Sequence, residues 1–149
     1  IVVVTSDAVL VADKKNAEEI REVPSLLLEK SVSQGDDFDT SYRPWGQFST
    51  LTKNKRFHVK TITVKPNARL SLQRHKHRSE HWVVVEGEAK VTLGKNIKIL
   101  TKNQSIYISK GEIHRLENNQ DTPLTIVEVQ TGSYFGEDDI ERLDDDYAR

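Results

Sequence analysis

Between Gln73 and His81 the chain reads QRHKHRSEH, which sets three histidines, a glutamine and a glutamate in nine positions. Imidazole nitrogen, carboxylate and amide oxygen are the donors that hard and borderline divalent cations accept. In an extended strand alternate side chains share a face. Arg69, Ser71, Gln73 and His75 therefore point one way, and Leu70, Leu72 and Arg74 the other. Glu80 follows across a turn, at the start of the next apolar run, and Gly87 closes that run. Much later, SKGEIHRLEN places His114 three residues after Gly111 and four before Asn118. Cysteine is absent, so any metal is held by N and O atoms.

Such side chains need a frame that brings distant segments together. From Tyr42 onward, short strand-like runs recur: QFSTLT, FHVKTITV, RLSLQRH, EHWVVVE, AKVTL, IKIL, QSIYIS, IHRLEN and LTIVEVQ. Pro66-Asn67, Glu86-Gly87, Gly94-Lys95-Asn96, Lys110-Gly111 and Asn118 to Pro123 punctuate them as turns. Strands at roughly 8–12-residue spacing, with no long helical pattern between Tyr42 and Thr131, predict an all-β sandwich or barrel. The acidic tail GEDDIERLDDDYAR carries Ile140, Leu143 and Tyr147 on one stripe and predicts a short closing helix.

The first 30 residues have another texture. Ile1 to Asp13 reads as two strands about a turn, apolar enough for a sheet covered on both faces. Asn16 to Glu22 is a short helical pattern stopped near Pro24, and SLLLEK adds a helical turn. Residues 31–41, SVSQGDDFDTS, read as a linker. Strands without visible partners look like the tail end of another domain, which gives a remnant over 1–30 and a domain over 42–149. Methionine is absent, so the chain is expected to begin inside a longer protein. A net charge of −1 points to neither nucleic acid nor disorder. No apolar segment approaches the ~20 residues of a membrane span, and no secretory signal opens the chain, so the cytoplasm is the default.

The two ligand-rich stretches resemble the motifs of the cupin family, G-x5-H-x-H-x3/4-E-x6-G and G-x5-P-x-G-x2-H-x3-N. Gln73-x-His75-x4-Glu80-x6-Gly87 follows the first, with Gln73 for its first histidine and Asn67 for its leading glycine. Gly111-x2-His114-x3-Asn118 follows the second, with Asn103 for a glycine and Ser109 for a proline. Asparagine is the natural stand-in for glycine at positive φ. Pairing His75 with His77 instead leaves too few residues before Glu80. The blocks YRPWGQF, ITVKPNARLSLQRHKHRSEHWVVVEGEAKVT, NQSIYISKGEIHRLEN and VEVQTGSYFGEDDIERLDDDYAR resemble the type II phosphomannose isomerase cupin domain. That domain is commonly the C-terminal part of a bifunctional mannose-1-phosphate guanylyltransferase / mannose-6-phosphate isomerase. VVVTSDAVLVADKKNAEEI resembles the end of its transferase domain.

The resemblance implies a cupin double-stranded β-helix, a jelly-roll β-sandwich with a short α/β N-terminal fragment. It implies a metal site of Gln73, His75, Glu80 and His114, usually with zinc. The implied reaction interconverts mannose 6-phosphate and fructose 6-phosphate in GDP-mannose and polysaccharide biosynthesis. A proton moves between C1 and C2, and a divalent cation polarises the carbonyl. His77, Glu112 or a metal-bound hydroxide are the candidate bases. Arg69 is the first choice for the phosphate, with Lys60, Arg142 and Arg149 behind it. The substrate is a phosphosugar, and edge strands make a homodimer a plausible partner. Two other readings compete: a non-catalytic phosphosugar-binding or regulatory cupin, and an iron-dependent cupin dioxygenase. Blander roles also stand beside these. His58 is expected to be a surface or hydrogen-bonded residue, Trp45 and Trp82 to be packing residues, and Arg115 to point away from His114.

Overall fold

The computed structural model describes residues 1–4, 8–30 and 40–147. Most of the expected linker and the candidate Arg149 lie outside the described residues. Two units divide the chain, Ile1–Asp39 and Thr40–Arg149.

In the first unit β1 (Val2–Val4) pairs antiparallel with β2 (Val9–Val11). Short 3-10 turns lead to α1 (Val23–Glu29). Pro24 was expected to stop a helix and instead lies in the first turn of α1. A missing N–H is harmless there, because that donor has no intrahelical partner. The strands were expected to be covered on both faces, yet Val2, Val4, Val9 and Val11 stand exposed.

The second unit contains β3 (Thr40–Arg43), β4 (Gly46–Lys53), β5 (Phe57–Val64), β6 (Leu72–His75), β7 (Arg78–Glu86) and β8 (Glu88–Leu93). After them come β9 (Asn96–Thr101), β10 (Ser105–Ile108), β11 (His114–Glu117), β12 (Leu124–Gly132) and β13 (Ile140–Asp144). They form two antiparallel sheets, ordered β10-β7-β12-β5-β4-β3 and β13-β6-β11-β8-β9. Strict alternation in β5 and β12 turns one face of each inward. Ile62, Val64, Val84, Ile108, Leu124 and Ile126 from the first sheet meet Ala89, Val91, Leu100 and Leu116 from the second in one core. Burying each larger aliphatic side chain contributes on the order of 1.5–3 kcal/mol.

The turns follow the motif reading. Asn67 and Asn103 have φ of 55° and 69°, the left-handed region in which asparagine substitutes for glycine. Gly87 has φ of 81°, and a Cβ there would lie 2.8 Å from the carbonyl oxygen of Pro123. Asn118 is buried, and its amide nitrogen faces the carbonyl oxygens of Val64, Lys65 and Thr122 at 2.8–3.1 Å.

The expected C-terminal helix is corrected. Glu137–Asp139 form a 3-10 turn, and β13 then pairs antiparallel with β6, with Ile140 opposite His75 and Arg142 opposite Gln73. Without β13, the outer edge of β6 would present unpaired backbone groups. The side chains fit period 2 better than period 3.6. Ile140 and Arg142 line the cleft described below, while Glu141 pairs with Arg74 at 2.6 Å.

Candidate metal centre

Both sheets supply the site. On the second sheet Gln73 and His75 lie two apart on β6, and His114 at the start of β11 stands directly opposite Gln73. Glu80 comes from β7 of the first sheet. His75, Glu80 and His114 are at most 2% exposed. His75 Nε2 lies 3.1 Å from Glu80 Oε1, and His114 Nε2 lies 3.6 Å from Glu80 Oε2. One donor atom from each residue falls within 4.8 Å of the others. Gln73 completes the group from the side, with its amide nitrogen 3.5 Å from His75 Nε2 and its oxygen accepting from the Ser71 hydroxyl at 2.8 Å. A half-turn of that amide exchanges the two atoms. Ser71 can accept as well as donate, so this costs little.

A cation fits this arrangement. The Glu112 carbonyl oxygen lies 2.9 Å from His114 Nδ1 and can only accept, so Nδ1 carries the proton. Burial pushes the His114 pKa below the ordinary histidine value, against the pull of Glu80. The neutral ring then aims the Nε2 lone pair at a carboxylate oxygen, and among the described residues that buried nitrogen has no hydrogen-bond partner. Burial also pushes Glu80 up, but the hydrogen bond and charge of His75, with the field of Arg78, outweigh it. Its carboxyl sits well below the usual range. An orphaned lone pair, an ionised carboxylate and a second imidazole around one point form the donor set of a divalent ion.

Around the ligand group lies a set of residues that the motif reading missed. Arg78 Nε donates to Glu80 Oε1 at 3.1 Å and Gln130 Nε2 to the same oxygen at 3.2 Å. Trp82 Nε1 is shared between Glu80 Oε2 at 3.1 Å and Glu128 Oε2 at 2.9 Å. Trp82 therefore combines its expected packing role with a polar one. Glu128 is fully inside the fold. Burial, then the neighbouring Glu80 carboxylate, pushes its pKa up to about 8, while Lys60 opposes the rise. The sequence did carry a signal for these residues. Arg78, Glu80 and Trp82 continue the inward face of β7, and Glu128 and Gln130 that of β12. Polar residues that prolong a core-facing period mark a cleft.

That cleft is walled by Lys60, Gln73, Glu80, Glu128, Gln130 and Arg142, with Arg43 and Glu137 among its other lining residues. Arg142 Nε is buried and has no hydrogen-bond partner among the described residues. Other candidates lie elsewhere. Arg69 is not on a continuous strand with Gln73, since β6 begins only at Leu72, and it forms a two-point pair with Asp146 at 2.6 and 2.7 Å. His77 is exposed and sits edge-on to Tyr134. The Glu112 carboxylate accepts from the Ser109 backbone N–H, so this residue meets the site only through its carbonyl. His58 is buried beside Thr50, with Nε2 3.0 Å from the hydroxyl. Arg115 pairs with Asp144.

Residues 30–145 match the sequence profile of the family described as "Mannose-6-phosphate isomerase C-terminal". The chain is 50% identical over its whole length to the xanthan biosynthesis protein XanB of Xanthomonas campestris pv. campestris. It is 49% identical, again over its whole length, to the alginate biosynthesis protein AlgA of Pseudomonas aeruginosa. Mannose-1-phosphate guanylyltransferase ManC of Salmonella typhimurium is 44% identical over the same span. The chain spans about a third of the length of these relatives, 32% of XanB and 31% of AlgA and ManC. Among solved structures, an oxalate decarboxylase variant of Bacillus subtilis superposes with a TM-score of 0.64 at 19% identity, over 72% of this chain and 30% of that one. A cupin-superfamily sugar phosphate isomerase from Silicibacter pomeroyi gives 0.54 at 20% identity, over 61% and 65%. These likenesses establish the cupin fold.

Proposed function

For a chain that belongs to the mannose-6-phosphate isomerase C-terminal family, we propose metal-dependent interconversion of mannose 6-phosphate and fructose 6-phosphate. The observation that carries the proposal is the buried His75–Glu80–His114 group, which adjoins a cleft that Lys60 and Arg142 also line. Gln73, His75, Glu80 and His114 would hold a divalent ion, for which zinc suits the nitrogen and oxygen donors. When bound, the ion supplies Lewis acidity to a substrate carbonyl.

The side chains supply the rest. Lys60 and Arg142, both in the cleft wall, take the phosphate in place of Arg69, which Asp146 already engages. Glu128 takes the proton-carrying role for which His77, Glu112 and a metal-bound hydroxide are the sequence candidates. It lines the cleft, lies outside the ligand group, and is fixed by Trp82 Nε1 and by Gln130 Nε2 at 2.8 Å. Trp45 and Phe48 give the same cleft apolar walls against which a sugar ring can rest. In a longer protein that also carries a guanylyltransferase, this unit would supply a precursor for GDP-mannose.

The test is conversion of mannose 6-phosphate before and after chelation, followed by zinc readdition. Chelation should abolish turnover and zinc restore it. Glu128→Gln should retain the metal while losing about 10²–10⁴-fold in kcat, the usual contribution of a positioned acid or base. A folded, metal-loaded chain that binds mannose 6-phosphate without exchanging the C2 proton would instead favour the non-catalytic phosphosugar-binding reading.

A further inference from the structure

We infer that Glu137 is a built-in stand-in for the substrate's phosphate: its carboxylate rests on a seat formed by Arg43 and Lys60 and yields it when a phosphate monoester enters the cleft. The inference rests on the phosphate reading above and adds an occupant that the incoming anion must displace. Lys60 is 5% exposed, and its Nζ lies 3.7 Å from Glu137 Oε1 and 4.4 Å from the centre of the Phe48 ring. Arg43 reaches the other oxygen of the same carboxylate at 3.8 Å, and its guanidinium lies 5.2 Å from the same ring. One carboxylate thus spans two cations that both lie against one aromatic ring. Both separations exceed hydrogen-bond length, so Glu137 holds the two cations by charge rather than by a close hydrogen bond. Arg142, whose buried Nε has no acceptor among the described residues, lines the same cleft.

The local frame lets Glu137 leave without unfolding the turn that carries it. Two residues on, the buried Asp139 accepts from the backbone N–H groups of Lys76 at 3.0 Å and His77 at 3.3 Å, and it lies 3.6 Å from Arg78. Tyr134 donates to Asp138 at 2.7 Å across the same turn. The backbone is pinned on either side, while the Glu137 side chain is half exposed and can rotate into solvent. A phosphate monoester brings three acceptor oxygens and close to two negative charges, against two oxygens and one charge for the carboxylate. The exchange therefore improves the satisfaction of Arg43, Lys60 and Arg142 together. It also discriminates, because an unphosphorylated sugar cannot evict the carboxylate.

The experiment is calorimetric titration of the zinc-loaded chain with inorganic phosphate, mannose 6-phosphate and mannose, using wild type, Glu137→Gln and Lys60→Met. Removing a competitor that holds the seat most of the time raises apparent affinity by the inverse of the free fraction. Glu137→Gln should therefore bind both phosphate ligands roughly three- to tenfold more tightly, by the same arithmetic. Lys60→Met should lose that binding, and mannose should respond to neither change. Glu137→Asp, too short to span both cations, should fall between wild type and Glu137→Gln. It also decides the matter if Lys60→Met fails to fold. Phosphate affinity unchanged or weakened in Glu137→Gln would overturn the stand-in while leaving the phosphate reading in place. Absence of phosphate binding in both wild type and Glu137→Gln would remove the phosphate reading itself.

Discussion

At the level of single residues, the ligand group depends on who donates to it. Glu80 is taken out of water and remains ionised because partners surround it: His75, Arg78 and Gln130 on one oxygen, Trp82 on the other. Truncating one of them leaves a buried carboxylate short of a partner, which costs about 1–3 kcal/mol or more when the group is charged. Trp82→Phe keeps the ring and removes only the indole N–H. It should lower stability by roughly 1–3 kcal/mol in denaturant unfolding and weaken metal affinity by about 10–100-fold, the usual loss when a group supporting a ligand is removed. Unchanged metal content at limiting zinc would show that this N–H does not tune Glu80. Legibility at this scale was uneven. His75, Glu80 and His114 announce themselves by chemistry and spacing. Trp82, Arg78 and Glu128 are marked only by their place on the inward face of a strand, and a polar residue there shows its role only once the opposite sheet is in place.

Among the elements, β13 is held from outside by charge. Glu141 pairs with Arg74, while beyond the strand Asp146 pairs with Arg69. The hydrogen bond from each arginine, then its charge, holds the carboxyl below its ordinary value. A carboxyl depressed in the folded state stabilises it above the unfolded pKa, and the contribution is lost as pH falls through the folded one. The tail should therefore loosen as pH drops below about 4, the ordinary carboxylate range. Hydrogen exchange of the Ile140–Asp144 amides checks this. Their protection should fall with acid before that of β5 and β12, and a uniform loss across all strands would count against it. The sequence hid this strand because its apolar residues also fit a helical stripe. Ile140, Leu143 and Tyr147 are spaced for one, and only the open edge of β6 selects the extended form. The same discontinuity misplaced Arg69. Period-2 reasoning carried it onto the face of Gln73, although the strand begins after it, at Leu72. By contrast Asn67 and Asn103 were legible, since few residues tolerate the backbone that a glycine position demands.

For the molecule as a whole, the arrangement of ligands makes metal binding a matter of stability as well as chemistry. Gln73, His75 and His114 belong to the five-stranded sheet and Glu80 to the six-stranded one, so an ion held by all four ties the two layers together. Because the unfolded chain scatters these ligands, binding stabilises only the folded form. The gain is about 2.7 kcal/mol when free metal is at a hundred times its dissociation constant. For a unit of this size that corresponds to a rise in Tm on the order of 5–15 °C. Tm should therefore climb with the logarithm of free zinc, and chelation should return it to the metal-free value. Glu80→Gln should flatten the dependence by removing the only ligand from the six-stranded sheet. A Tm that ignores zinc in wild type, in a chain shown by metal analysis to be loaded, would mean that the unfolded chain binds the ion as tightly as the folded one.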